Sequence, residues 1–162
     1  MTEKPTPEPN PFDFAAAATR YLAQEAEYKR HAENLLASNK AILFDALAAK
    51  GIAHVVVTFD GYGDSGQIES IEASTDNTTK PLPRNRISLT FAQWGQVEAT
   101  SQTLSIADAI EHMVYDILRQ THQGWENNNG AYGEFTFDVA KRSITLDYNE
   151  RFTSSENYSH EF

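Results

Sequence analysis

The chain has 162 residues, no cysteine and a formal net charge of −10. This length suits one compact domain, and the lack of cysteine excludes disulfides and thiolate metal sites, as is typical of proteins of the reducing cytoplasm. The negative charge disfavours direct nucleic-acid binding, and no apolar stretch approaches the roughly 20 residues that cross a bilayer. We therefore expect a soluble cytoplasmic protein without a membrane anchor.

The two ends of the chain differ in composition from the part between them. Residues 1–11 carry prolines at alternate positions from Pro5 to Pro11, which predicts a disordered leader. Residues 151–162 are mostly polar and predict a loosely docked tail. The remaining segment, 12–150, is expected to form the single folded domain.

The first part of this domain predicts two helices, because residues 12–50 are rich in helix-forming types and contain neither glycine nor proline. The first is expected over 12–37. The second is expected to begin at Ser38 or Asn39, either of which can cap a helix N-terminus, and to end at Lys50. Gly51 then suits the left-handed position that follows many helices.

Alternating apolar and polar residues predict the strands that follow. They are expected over about 55–60 and 67–73, joined by a long glycine-rich connection, then over 87–92 and 97–103 around a turn near Gly95, and finally over 135–139 and 144–148. The segment 74–86 is expected to be irregular. Between the second and third hairpins, Ser105 is expected to cap an amphipathic helix that ends near Thr121.

The order of these elements predicts an α+β fold. N-terminal helices precede antiparallel β-hairpins that form one sheet, and the central amphipathic helix packs on one face of that sheet.

The first candidate functional segment is the sequence DGYGDSGQIE, residues 60–69. It combines flexible glycines with oxygen-bearing side chains, which are the groups that hard cations prefer. A tight turn needs the same residue types, so a purely structural role stays open. The candidate residues are Asp60, Tyr62, Asp64, Ser65 and Glu69.

The second candidate segment is HQGWENNNGAYG, residues 122–133. Its indole and phenol rings, amides, imidazole and carboxylate are groups from which binding sites are built. The alternative is that the tryptophan closes the edge of the core while the asparagines connect helix and strand. The candidate residues are His122, Trp125, Glu126, Asn127 and Tyr132.

The two segments would form one site if their strands are neighbours in the sheet. Such a site would suit a divalent metal ion, or general acid–base chemistry if burial raises the pKa of one carboxyl group. The candidate ligands are Asp60, Asp64, Glu69, His122 and Glu126. On the central helix, by contrast, His112 and Asp116 with nearby Arg119 indicate a solvated face with a local ion pair.

The phrases DGYGDSGQIE and GWENN, the latter continuing through Gly130, Gly133 and Phe135, resemble those of a family of small uncharacterised bacterial, plasmid and phage proteins, classed as a domain of unknown function. The resemblance covers about 40–162 and implies a mobile-element setting, with an accessory or anti-defence role. It transfers no catalytic residue, cofactor or substrate.

These observations favour a non-enzymatic interaction module that binds a basic protein, such as a DNA-binding protein or nuclease. Three aromatic residues would anchor the partner and three carboxylates would steer it: Tyr62, Trp125, Tyr132, Asp60, Asp64 and Glu126. One alternative is a divalent-metal-dependent hydrolase that uses the carboxylates and His122. The other is a structural or regulatory domain without a ligand site.

Overall fold

The computed structural model describes residues 13–94 and 98–162. The predicted leader, the expected helix start at residue 12 and the turn near Gly95 lie outside these ranges. The described chain forms two helices and seven strands, in the order α1 Phe14–Ala49, β1 His54–Tyr62, β2 Ser65–Thr75, β3 Thr78–Lys80, β4 Arg86–Phe91, β5 Thr100–Ser105, α2 Ile106–Thr121, β6 Ala131–Asp138 and β7 Ser143–Glu150.

Helix α1 is one continuous helix of 36 residues, so the predicted break at Ser38–Asn39 was wrong. Ser38 does not cap a new helix, because its hydroxyl donates to the carbonyl of Asn34, one turn earlier, at 3.3 Å. Asn39 is buried and directs both atoms of its amide to the backbone of Thr90 in β4. With no glycine or proline to stop it, the helix runs on to Lys50 and Gly51, where the expected positive φ of +72° is observed.

The α+β class is confirmed, but the strands form two antiparallel sheets and not the one sheet that was expected. A five-stranded sheet has the order β3-β2-β1-β6-β7. The hairpin of β4 and β5 stands apart as a two-stranded ribbon that lies against α1 and α2. The bidentate contact between Asn39 and Thr90, at 2.9 and 3.0 Å, joins this ribbon to α1.

The hydrophobic core lies between one face of the large sheet and the two helices. Val55, Val57 and Phe59 alternate along β1 with residues that are not buried, and they pack with Phe135 and Phe137 of the neighbouring strand. The helices contribute Leu43, Phe44 and Leu47 from α1 and Ile106, Ile110, Met113, Val114 and Leu118 from α2. The apolar residues that alternate along the strands therefore pack against the apolar residues that repeat every 3.6 positions along the helices, and together they form one core layer.

Helix α2 agrees with the sequence prediction, and the last hairpin forms as expected, although β6 begins at Ala131, four residues before its expected start. The Ser105 hydroxyl accepts a hydrogen bond from the Asp108 N–H at 3.1 Å, and the helix ends at Thr121. In the segment expected to be irregular, β2 runs on to Thr75 and residues 78–80 form β3, because Asp76 and Asn77 make a tight turn with positive φ. Neither described helix has the combination of length and apolar character that spanning a membrane requires.

Candidate functional site

The first glycine-rich segment is a tight hairpin and not the long connection that was expected. Strand β1 extends to Tyr62 and β2 begins at Ser65, so only Gly63 and Asp64 form the turn. Both have positive φ, of 57° and 66°, as a type I′ turn requires. A bulge follows in β2, where Thr58 pairs with Ser70 and Phe59 pairs with Ile68.

The second glycine-rich segment lies against this hairpin. The Asp64 N–H donates to the Glu126 carbonyl at 3.1 Å, and the Gly63 N–H donates to the Asn128 carbonyl at 3.4 Å. The loop itself is braced at Asn127, whose N–H donates to Gly124 and whose carbonyl accepts from Gly130, each at 3.0 Å. The two segments therefore meet, which is the condition for a shared site.

Trp125 explains why the hairpin carries glycine at two paired positions. Gly61 and Gly66 are cross-strand partners, and the indole ring lies directly over both. A Cβ atom on Gly61 would lie 2.5 Å from Cζ3 of the ring, and one on Gly66 would lie 2.8 Å from Cζ2 and closer still to Cη2. Neither glycine has a positive φ, so close approach of the ring, and not backbone conformation, requires glycine here.

The ring is also held from its other sides. It meets Phe59 edge-on with ring centroids 5.5 Å apart, and it lies at 25° to the ring of Tyr115 at 6.5 Å. The Tyr115 hydroxyl accepts a hydrogen bond from the Ile68 N–H at 3.2 Å, beside the β2 bulge. Trp125 is thus a half-buried wedge between the hairpin and α2.

Two further glycines fit the backbone closely. A Cβ on Gly130 would collide with the carbonyl of Gly61, and one on Gly133 would collide with the carbonyl of Asp147. Gly130 also has a positive φ of 76°. The glycines noted in the sequence are therefore required because the two segments pack closely against each other.

On the other face of the sheet, Arg151 contacts the ends of β1 and β6 beside the hairpin. Its Nη1 lies 2.9 Å from Asp60 Oδ1 as an ion pair that lacks hydrogen-bond alignment, and it donates to the Gly61 carbonyl at 3.1 Å. The guanidinium lies over the Tyr132 ring at 4.6 Å, and the Arg151 N–H donates to Gly130 at 3.0 Å. No local pattern in the sequence predicts this role, because Arg151 is the first residue of the predicted polar tail.

The sheet separates the candidate residues into two groups. Asp60 and Tyr132 are cross-strand partners on the face that points away from the helices, and Tyr62 and Ser65 are paired at the end of the same face. Trp125 lies on the helix side.

The remaining candidates do not join either group closely. His122 stacks on Tyr148 on the helix side, with ring centroids 3.6 Å apart, and Glu69 is the extra residue of the bulge and accepts from Gln67 at 2.9 Å. Burial, with Glu150 and Glu126 nearby, raises the pKa of Tyr148. Within residues 13–94 and 98–162, no three or more histidine and carboxylate side chains are arranged to hold a metal ion, so the five candidate ligands do not form one cluster.

The face that points away from the helices, here called the open face, is rich in hydroxyls and carboxylates. None of its side chains is buried, and no described element covers it. The strand registers place five carboxylates on it: Asp60, Glu72, Glu134, Asp138 and Asp147. Only two are paired in the described chain, Asp60 with Arg151 and Asp138 with His54 at 3.7 Å. Four of the five were missed in the sequence, although each alternates with core residues along its strand.

Comparison with known proteins connects this geometry to one family. No curated protein and no solved structure matches the chain. A family model does match, over residues 35–162, and this range includes both glycine-rich segments, Trp125, Arg151 and all seven strands. It leaves out the first half of α1, where the side chains are mostly exposed. The expectation that the chain belongs to a family classed as a domain of unknown function is thereby confirmed, and that family is DUF6878.

Proposed function

We propose that this protein is a non-catalytic interaction module that binds a basic protein through its open face. The observation that carries the proposal is a sheet face that no described element covers. Within the described residues it has five carboxylates, against one arginine and one histidine, and two exposed tyrosines at one end. Carboxylates at strand spacing attract lysine and arginine side chains and orient an approaching partner.

The dimensions of the open face suit a protein partner. Four strands of eight to eleven residues and the three-residue edge strand β3, about 4.8 Å apart, span at most roughly 24 by 27 Å, or about 600 Å². A standard protein–protein interface takes about 800 Å² from each partner, so the face with its rim is large enough for a weak or transient complex.

The aromatic anchors in this proposal are Tyr62 and Tyr132. Their exposed fractions are 71% and 45%, and they lie on the open face beside the ion pair of Asp60 and Arg151. Trp125 has a supporting role, because it lies under the hairpin on the opposite face. A DNA-binding protein or nuclease has the required positive charge, and an accessory role in a mobile element is part of this proposal.

The proposal is tested with a lysine- and arginine-rich helical peptide as the probe, immobilised at low salt. The face variant Glu72→Gln, Glu134→Gln, Asp147→Asn is compared with the control variant Glu27→Gln, Glu33→Gln, Glu111→Gln. Both remove three carboxylates that make no ion pair in the described chain, and the control residues lie on exposed helix positions. We expect the face variant to lose about tenfold in affinity and the control variant to lose less than about twofold.

A second comparison tests the two exposed tyrosines at one end of the open face. Tyr62→Ala and Tyr132→Ala should each weaken binding of the same peptide, whereas Tyr158→Ala, in the exposed tail, should not. Equal losses in the face and control variants would show that the peptide responds only to net charge, and the proposed face would be wrong.

A further inference from the structure

A cleft of about 770 Å³ opens on the helix side of the sheet, opposite the open face. Its walls come from α1, α2, the ribbon, the hairpin turn and the second glycine-rich segment. This volume is in the range of small-molecule sites, roughly 300–1,000 Å³. The cleft takes no part in the function proposed above.

In the part of the chain that the structure describes, four aromatic side chains line the cleft: Tyr28, Phe91, Tyr115 and Trp125. Two of them are rigidly placed, because Trp125 is wedged over Gly61 and Gly66 and the Tyr115 hydroxyl accepts from the backbone. Aromatic walls that are already fixed bind the apolar body of a ligand without loss of side-chain freedom. Their π-faces also attract cations.

The charges in the cleft favour a cation over an anion. Among the described residues, three carboxylates and one arginine line it, and this arginine, Arg119, is already 3.4 Å from Asp116. Asp64 and Glu126 make no ion pair within the described chain, and their backbones are joined by the hydrogen bond of 3.1 Å. Burial raises the pKa of Asp116 against the opposing effects of Arg119 and His112, so a bound positive charge would also favour its ionised form.

We infer that this cleft binds an organic cation, an ammonium or guanidinium group on an apolar body. The cationic group lies at Asp64 and Glu126, and the body lies against Trp125 and Tyr115. The ligand is either a free amine or guanidine, or a lysine or arginine side chain of a protein. Both sources present the same chemistry to the cleft.

The test uses the full chain with Trp94→Phe, which leaves Trp125 as the only tryptophan. Phenethylamine is titrated against 3-phenylpropionate, which has the same ring on a similar chain but carries a carboxylate. We expect a saturable change in Trp125 fluorescence with the amine in the millimolar range, and binding of the carboxylate at least about tenfold weaker. A short peptide with one central arginine, compared with the same peptide carrying citrulline there, tests the protein source.

The matched variants are Asp64→Asn with Glu126→Gln, and Glu27→Gln with Glu111→Gln as the control. Each pair removes two carboxylates, and asparagine tolerates the positive φ of residue 64. The cleft pair should weaken amine binding by about tenfold or more while circular dichroism and thermal melting show a folded protein, and the control pair should not. The open-face variant should bind the amine normally, so this inference and the proposed function can fail separately.

These measurements distinguish the two sources of the cation from each other and from the absence of a specific site. Selective binding of the amine supports a free ligand, and selective binding of the arginine peptide alone supports a side chain as the ligand. Equal binding of amine and carboxylate, an unchanged affinity in the cleft pair, or no saturable response to amine or peptide up to about 10 mM would overturn the inference.

Discussion

Replacement of Gly66 by alanine should destabilise the protein by displacing one ring, that of Trp125. The added Cβ would lie 2.8 Å or less from three atoms of the indole, so the ring has to move. Overpacking of this kind typically costs about 1–3 kcal/mol, and each lost aromatic contact, with Phe59 and with Tyr115, adds about 0.5–1.5 kcal/mol. Since the indole is only partly buried and a shift of the ring can relieve part of the overlap, we expect a loss of about 2 kcal/mol.

The assay is urea denaturation followed by circular dichroism, with Gly66→Ala measured in the native sequence and in a Trp125→Ala background. A loss of about 2 kcal/mol corresponds to a Tm lower by about 4–8 °C for a domain of this size. Without the indole, alanine at this strand position should be neutral or stabilising by about 0.5 kcal/mol, because glycine is unfavourable in strands. The double-mutant cycle should therefore give a coupling energy of about 2 kcal/mol.

Gly63 supplies the control within the same hairpin. A Cβ there would meet nothing within 4 Å, but the φ of +57° makes alanine unfavourable by about 1 kcal/mol. That loss should be the same with and without Trp125. If Gly66→Ala is equally destabilising in both backgrounds, the indole is not the reason for the glycine and the packing argument fails.

Three further predictions concern single contacts. Asn39→Ala should lower the free energy of unfolding by about 2–3 kcal/mol in urea denaturation, because it leaves the N–H and carbonyl of Thr90 without their partners. Arg151→Ala should lower the free energy of unfolding by about 1–2 kcal/mol, because the bond to the Gly61 carbonyl is lost. It should also increase hydrogen exchange of the backbone amides where β1 and β6 meet beside the hairpin. The free energy of unfolding of Asp116→Asn, minus that of the native protein, should increase as the pH rises from the ordinary carboxyl pKa of 3.8 through the raised pKa of the folded state. The measurement is urea denaturation of both proteins between about pH 4 and 7.

The sign of the last prediction follows from linkage. Burial raises the pKa of Asp116, so the folded state holds its proton more tightly than the unfolded state does. Stability from this group is therefore present below the unfolded pKa and is lost as the pH rises through the folded pKa. Asparagine carries no such charge, and a pH-independent difference between the two proteins would contradict the assignment.

Controls for the other two variants come from exposed positions. Asn34→Ala, in the same helix as Asn39, should change stability by less than about 0.5 kcal/mol, and so should Arg20→Ala. If Asn39→Ala falls in this range, the ribbon is not held to α1 through the Thr90 backbone. If Arg151→Lys restores full stability, charge alone explains the arginine, and the bond to Gly61 and the stacking on Tyr132 contribute little.

The sequence alone determined the elements whose signals are local. Alternation along β1 and β6, the cap at Ser105 and the period of α2 each depend on neighbours within a few residues, and all of them were correctly predicted. The glycine-rich segments were also found, because clustered glycines are visible without any structure.

Only the tertiary structure decided what those features do. Asn39 is locally a plausible helix cap, but in the structure it lies inside one long helix and its amide bonds to Thr90, 51 residues away. In the sequence, Gly61 and Gly66 indicate a flexible segment. In the structure, these positions require glycine because the Trp125 ring lies over them and leaves no room for a Cβ atom. Contacts between residues far apart in sequence outweigh local preference, since a buried polar group or a filled van der Waals gap is worth more free energy than a cap or a turn propensity.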